Sequence, residues 1–128
     1  VHLGAQALKA GKTVVHYTLE LSDTVIATRY DSCLTGVHLG EHRQFKEMIY
    51  DSIQDIPGKL IVKEYPTKSA STKTITNHLE SLRKRGEDIG MILLDYADLL
   101  RPVRETREKR HDLENIYEEV RGIAQEYD

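Results

Sequence analysis

The feature that most constrains the fold is an apolar run at residues 90–94, Gly-Met-Ile-Leu-Leu, which stops at an acidic residue, Asp95. A strand with apolar side chains on both of its faces is typical of a parallel sheet that is covered on both sides. Parallel strands also need long crossover connections, which are usually helices. The run therefore predicts an α/β fold with a mostly parallel sheet.

The rest of the chain alternates between strand-like and helix-like patterns. β-Branched and apolar residues predict a strand at residues 13–21, after a turn at Gly11, and another at residues 59–63. Apolar residues at helical spacing predict helices at residues 2–10, 22–36, 41–56 and 73–85, and a last helix after residue 111. Such alternation implies right-handed crossovers and three layers, with helices on both faces of the sheet.

Length and composition limit the possible functions. The 128 residues are sufficient for one domain, and a formal net charge of −3 gives no overall attraction to nucleic acid or to an anionic membrane. The one cysteine cannot form an intramolecular disulfide, and no apolar run is long enough to span a membrane. These features predict a cytoplasmic protein without a membrane partner. Because helical patterns run into both chain ends without start or stop signals, the sequence also predicts an internal piece of a longer protein.

Two acidic residues stand where predicted strands end. Glu20 follows residues 13–19, and Asp95 follows residues 90–94. Ligands of open parallel sheets bind at the carboxyl ends of the strands, so the two acids could face one site. An aspartate there is suited to hold Mg²⁺ through its water shell, and a glutamate could orient or deprotonate the water that attacks a γ-phosphate. The alternative is that each acid only solvates a strand end or caps the next helix.

The sequence contains an incomplete match to a phosphate-binding loop. Gly11-Lys12-Thr13 resembles the end of such a loop, but the motif requires a glycine five residues before Gly11, where the chain has Gln6. Lys12 also leads into a predicted strand, whereas a phosphate loop opens a helix. We therefore interpret Gly11 as a turn residue.

A group of cations, here called the basic cluster, follows the Asp95 strand: Arg101, Arg104, Arg107, Lys109 and Arg110. A loop that leaves a catalytic strand is placed to couple nucleotide state to a polymer held through its phosphates, so the cluster predicts contact with nucleic acid. No aromatic residue lies between these cations, which favours contact with the backbone over stacking on bases. The alternative is a solvated charged face.

Residues 91–100, Met-Ile-Leu-Leu-Asp-Tyr-Ala-Asp-Leu-Leu, resemble the acid-bearing strand of DnaB-type replicative hexameric helicases, a branch of the RecA-like ATPases. In that family apolar residues precede Asp-Tyr-x-x-Leu. Residues 18–21, Thr-Leu-Glu-Leu, are similar to its Ser-Leu-Glu-Met segment, and the basic cluster with the following helix is similar to its stretch after the acid strand. The chain departs from the family at Ala97 and Asp98, where a long residue and a glutamine are common. The resemblance covers essentially the whole chain in order.

The resemblance implies a RecA-like three-layer α/β fold, in which residues 1–128 would be the central part of a single ATPase domain. It implies that Glu20 is the catalytic base that polarises the attacking water and that Asp95 supports Mg²⁺. The implied cofactors are ATP and Mg²⁺, and the implied partners are single-stranded DNA and further copies of the protein in a hexameric ring. The implied location is the cytoplasm of a bacterial or phage-infected cell. Because the phosphate loop would precede Val1, the chain alone is not expected to hydrolyse ATP.

Two other functions remain open at this point. A RecA-like recombinase or clock-type ATPase would share the acids at the strand ends, although the pattern Asp95-Tyr96-x-x-Leu99 favours the helicase. A non-catalytic assembly module could have kept the fold and lost turnover. A phosphate loop directly upstream of Val1 would support an ATPase over the module.

Overall fold

The computed structural model describes residues 1–103 and 108–127. Within these residues three parallel strands form one sheet in the order β2-β1-β3, with the bounds β1 (Thr13–Thr18), β2 (Lys59–Glu64) and β3 (Ile89–Asp95). The α-helices of the same ranges are α1 (His2–Lys9), α2 (Asp23–Thr35), α3 (Lys46–Gln54), α4 (Thr72–Lys84) and α5 (Lys109–Glu126). Short 3-10 helices lie at Leu39–Glu41 and Ala97–Leu99. The predicted α/β class with a parallel sheet is confirmed.

β1 is the middle strand, and its side chains alternate between two apolar clusters. The cluster that includes α4 and α5 contains Val15, Tyr17 and Leu19. The cluster that includes α1 and α2 contains Val14 and Tyr30. Helices thus cover both faces of the sheet, as predicted. None of the helices in the described ranges combines the length and the hydropathy that a membrane crossing requires.

Local sequence signals account for several element boundaries. The Ser22 hydroxyl accepts a backbone N–H of α2, and Gly36 ends that helix with a φ of 77°. Ser71 and Thr74 form a capping box at the start of α4. Gly11 has a φ of 80°, in the left-handed region that favours glycine, and joins α1 to β1. The interpretation of Gly11 as a turn residue is confirmed.

β3 is covered on both faces, as its apolar run predicts, but its side chains are less buried than those of β1. β1 is the middle strand, whereas β3 lies at one edge of the described sheet with its apolar side chains only partly buried. Ile92 and Leu94 pack into one apolar cluster, and Met91 and Leu93 pack into the other. An apolar run indicates that both faces of a strand are covered. It does not indicate whether the strand is paired on one edge or on both.

α3 begins later than predicted, and α5 begins earlier. α3 begins at Lys46 instead of near residue 41, because the preceding residues form a 3-10 helix in which the Gly40 N–H donates to Nδ1 of His38 over 3.3 Å. Glycine also has a low propensity for the interior of an α-helix. α5 already includes Lys109, so the last part of the basic cluster is helical and not a loop. Acidic Glu108 at its N-cap and Asp112 in its first turn suit the positive end of the helix dipole.

Candidate active site

The ends of β1 and β3 bring Glu20 and Asp95 to the same edge of the sheet. Thr18 is the register partner of Asp95, and the N–H of Leu19 donates to the Asp95 carbonyl over 3.0 Å. Because Glu20 is the next residue, the backbone holds the two acids at neighbouring positions. Both residues are exposed. Two acids that the sequence predicted from distant segments therefore lie together.

A local turn carries Glu20 out of the sheet. β1 ends at Thr18, earlier than predicted, and this threonine is fully buried. Its hydroxyl donates to the Leu21 carbonyl over 2.7 Å and accepts the Leu21 N–H over 3.2 Å. Threonine hydroxyls often make such local bonds where the chain turns. This role of Thr18 was not predicted from the sequence, although a threonine at the end of an apolar strand is a usable signal.

The two carboxylates are chemically available. Within residues 1–103 and 108–127, neither Glu20 nor Asp95 has a hydrogen-bond or ion-pair partner for its side chain. In the same residues no three His, Cys, Asp or Glu side chains converge on a common point where they could ligate a metal ion. Mg²⁺ prefers oxygen ligands, keeps several waters and usually binds to one or two carboxylates together with phosphates. An exposed aspartate at a strand end fits a hydrated Mg²⁺ of this kind.

A third acid, Glu64, ends β2 on the other side of β1. It is the register partner of Thr18 in that pairing. Its Oε2 accepts the N–H of Asp23 over 3.1 Å, at the start of α2. A carboxylate at a helix N-terminus is favoured by the helix dipole. Glu64 therefore fixes α2, and it is distinguished from Glu20 and Asp95 by having a partner.

His16 is a buried polar residue of β1, with its ring on the α1 and α2 side of the sheet. Its Nδ1 lies 3.0 Å from the hydroxyl of Tyr30, which joins β1 to α2. Its Nε2 is buried and has no hydrogen-bond partner among the described residues. Burial lowers the pKa of His16, and Asp95 opposes the shift. Burial also raises the pKa of Tyr30 to about 12. A neutral imidazole and a neutral phenol therefore join these two elements.

Arg101, the first residue of the basic cluster, is tied through its backbone to the two residues that precede α4. Its N–H donates to the Ala70 carbonyl over 2.8 Å, and it pairs with Ser71 in an isolated parallel bridge. The residue itself is exposed. The backbone of Arg101 is therefore fixed, whereas the residue remains exposed to solvent.

The other members of the basic cluster are divided. Lys109 and Arg110 are exposed in the first turn of α5, where Nε of Arg110 lies 3.3 Å from Oε1 of Glu114. Arg104 and Arg107 lie outside the described residues. Arg101 and Lys109 line one cavity of about 640 Å³, so the structure brings together two of the five predicted cations.

Similarity to known structures defines the class of fold. No protein-family model matches the chain. The ATPase domain of G40P superposes with a TM-score of 0.75 at 13% identity, and the match covers 99% of this chain and 49% of that one. A DnaB-like replicative helicase, solved in a study of its interactions with primase, superposes with a TM-score of 0.76 at 13% identity over 100% of this chain and 33% of that one. The fold is therefore the RecA-like α/β fold of helicase ATPase domains.

Similarity in sequence identifies the relatives more narrowly. The chain is 29% identical over 133 residues to the DnaB-like replicative helicase of Enterobacteria phage T4. This match covers 97% of the chain but only 27% of that helicase. The resemblance to DnaB-type replicative helicases is thus confirmed, and the chain spans about a quarter of the length of the curated relative it matches.

Proposed function

We propose that this chain is the central part of the ATPase domain of a replicative DNA helicase, and that the intact protein couples ATP hydrolysis to translocation on single-stranded DNA. The observation that carries the proposal is the hydrogen bond from Leu19 to Asp95, which sets Glu20 and Asp95 side by side at the carboxyl ends of β1 and β3. The similarity to the phage T4 helicase supports the same proposal.

The two acids divide the chemistry between them. Glu20 orients or deprotonates the water that attacks the γ-phosphate of ATP, since its carboxylate is exposed and free of other bonds in the described residues. Asp95 would hold Mg²⁺, with waters completing the coordination of the ion. When bound, Mg²⁺ neutralises charge on the phosphate oxygens. Gly11 forms a turn into β1, so the proposal requires a phosphate-binding loop from outside residues 1–128.

The basic cluster supplies the contact with DNA. Arg101, Arg104, Arg107, Lys109 and Arg110 bind phosphates of the single strand, so the contact is independent of base sequence. Copies of the protein form a hexameric ring, and the cluster of each copy faces the strand in the centre. The protein acts in the cytoplasm of a bacterial or phage-infected cell.

The test uses the full-length protein that contains this chain. ATP hydrolysis is measured with and without single-stranded DNA, and displacement of a labelled strand is measured with ATP and with a non-hydrolysable analogue. We expect DNA-stimulated hydrolysis and strand displacement that requires hydrolysis. Hydrolysis without displacement would favour a recombinase-like or clock-type ATPase, and the absence of any hydrolysis would favour an assembly module.

A further inference from the structure

The loop between β2 and α4, here called the 65–71 loop, contacts both ends of the proposed site. At one end it holds the segment that leads to Glu20. The N–H of Tyr65 donates to the Thr18 carbonyl over 3.0 Å, and the hydroxyl of Thr67 donates to the Leu19 carbonyl over 3.0 Å. The two residues before Glu20 are therefore fixed by this loop.

At its other end the same loop holds the segment that leads from Asp95 to Arg101. Three consecutive carbonyls, those of Asp98, Leu99 and Leu100, all accept hydrogen bonds from Lys68. The ammonium donates to Asp98 over 2.7 Å and to Leu100 over 3.0 Å, and the backbone N–H donates to Leu99 over 2.9 Å. One residue thus bonds to three successive carbonyls in the segment between β3 and the basic cluster.

The backbone of Lys68 is unusual in a way that supports a specific role. Its φ is 59°, and it is the one non-glycine residue with a positive φ in the described ranges. Residues other than Gly, Asn and Asp adopt this conformation rarely, and such strain persists where surrounding contacts over-determine it. In this conformation both the N–H and the ammonium of Lys68 donate to the 3-10 helix Ala97–Leu99 and the residue after it, here called the Ala97–Leu99 turn.

The Ala97–Leu99 turn is also held from the side of α5. The hydroxyl of Tyr117 donates to Oδ1 of Asp98 over 2.5 Å, and this bond raises the pKa of Tyr117. Asp98 thus receives bonds from the 65–71 loop on its carbonyl and from α5 on its carboxylate. This is one of the two positions at which the chain departs from the helicase pattern.

We propose that Lys68 is a positioning residue that couples DNA contact at the basic cluster to the placement of Glu20. The physical basis is a continuous series of hydrogen bonds from Leu19 through Thr67 and Lys68 to the turn before Arg101. When a DNA phosphate moves Arg101, the movement is transmitted to the segment that leads to Glu20. Both that segment and the turn before Arg101 are hydrogen-bonded to the 65–71 loop. The inference rests on the proposed function.

The test compares substitutions at Lys68 in the full-length protein. Lys68→Gly removes the ammonium and relieves the backbone conformation, whereas Lys68→Met removes the ammonium alone. In both variants we expect the stimulation of ATP hydrolysis by single-stranded DNA to fall by at least about fivefold, the lower end of ordinary allosteric coupling. The loss should appear in kcat with KM for ATP unchanged, and hydrolysis without DNA should stay near the wild-type rate. Lys68→Arg should restore part of the stimulation, and Lys84→Met, at an exposed lysine of α4, is the matched control.

A second pair of variants tests the other end of the series. Thr67→Val removes the hydroxyl donor to Leu19, and Thr67→Ser keeps it. We expect reduced DNA stimulation in Thr67→Val and near wild-type stimulation in Thr67→Ser. This pair decides the outcome if the Lys68 variants fail to fold.

The outcomes separate this inference from the proposed function. Unchanged DNA stimulation in Lys68→Met would overturn the role of the ammonium, and unchanged stimulation in both Lys68→Met and Lys68→Gly would overturn any role of Lys68 in the coupling. A wild-type protein without DNA-stimulated hydrolysis would instead refute the proposed function. Even then, amide hydrogen exchange at Arg101 reports on the positioning itself: it should be faster in Lys68→Gly than in wild type, and equal exchange would overturn the inference.

Discussion

The two halves of the proposed site are held in different ways. The backbone that carries the acids is fixed by the sheet, because the Leu19 N–H bonds to the Asp95 carbonyl and the Thr18 hydroxyl bonds to the Leu21 carbonyl. The described cations of the basic cluster are exposed, and they are divided between the end of the Ala97–Leu99 turn and the first turn of α5. Proton transfer requires reacting groups at defined distances, whereas phosphate contact depends mainly on charge. The comparison therefore predicts abrupt losses from changes to the acids and graded losses from changes to the cations.

The largest effect is expected for Glu20→Gln in the full-length protein. We expect kcat for ATP to fall by about 10²–10⁴-fold, the usual contribution of a general base. Nucleotide affinity should remain nearly intact, because this interaction is made mainly in the transition state. Glu64→Gln is the matched control, since its amide oxygen can still accept the Asp23 N–H. Turnover near the wild-type rate in Glu20→Gln would remove this residue from the site.

Asp95→Asn should have a different signature. If Asp95 holds Mg²⁺ through water, the affinity for Mg²⁺-nucleotide should fall by roughly 10–100-fold, as is typical when an outer-shell partner of a metal is lost. Calorimetric titration with and without Mg²⁺ separates this effect from a loss of turnover. Equal affinity of the variant and the wild type under both conditions would contradict the assignment.

Arg101→Gln should give a smaller and graded loss. Removing one phosphate contact should flatten the slope of log K against log salt by about 0.7 for single-stranded DNA. Arg110→Gln should flatten it less, because Glu114 already pairs with that guanidinium. Arg121→Gln, at an exposed position further along α5, is the control. The same salt slope in all four proteins would identify the basic cluster as a solvated charged face.

The smallest effect concerns the core that supports the acids. Burial lowers the pKa of His16 and of His78 below the ordinary value of 6.5, so the unfolded chain binds more protons than the folded chain just below that pH. Stability should therefore fall as the pH drops below 6.5, by at most about 1.4 kcal/mol per pH unit for each histidine. Urea denaturation at a series of pH values measures this slope. His16→Phe should reduce the slope, and a slope unaffected by the substitution would exclude His16 as its source.

The features that could be predicted from the sequence are those that depend on local residue patterns. The strand at the apolar run before Asp95, the helix predicted at residues 22–36 and the turn at Gly11 each depend on residues that are close in the chain, and each is confirmed. The proposed roles of Glu20 and Asp95 remain predictions, although the structure does bring these two acids together.

The features that sequence analysis missed depend on distant partners. Thr67 bonds to Leu19, Lys68 bonds to the turn after β3, and His16 bonds to Tyr30 across two elements. No periodicity or motif in the sequence indicates these contacts, because each forms only when distant segments come together in the folded sheet. The early start of α5 was missed for a related reason: the cations at residues 109 and 110 indicated a loop, while the helix is favoured by acids on either side of them.

The order of the strands has a consequence for synthesis of the chain. β1 is the most buried of the three described strands, yet it precedes both of its partners in sequence, and its neighbours are β2 and then β3. As the chain leaves the ribosome, β1 must stay unpaired until Lys59–Glu64 has emerged, and its second edge stays open until Ile89–Asp95 follows. An apolar strand that waits in this way is exposed to aggregation, and pairings between distant segments form slowly. Of the three described strands, β1 is thus the one whose two edges stay open longest while the chain is made.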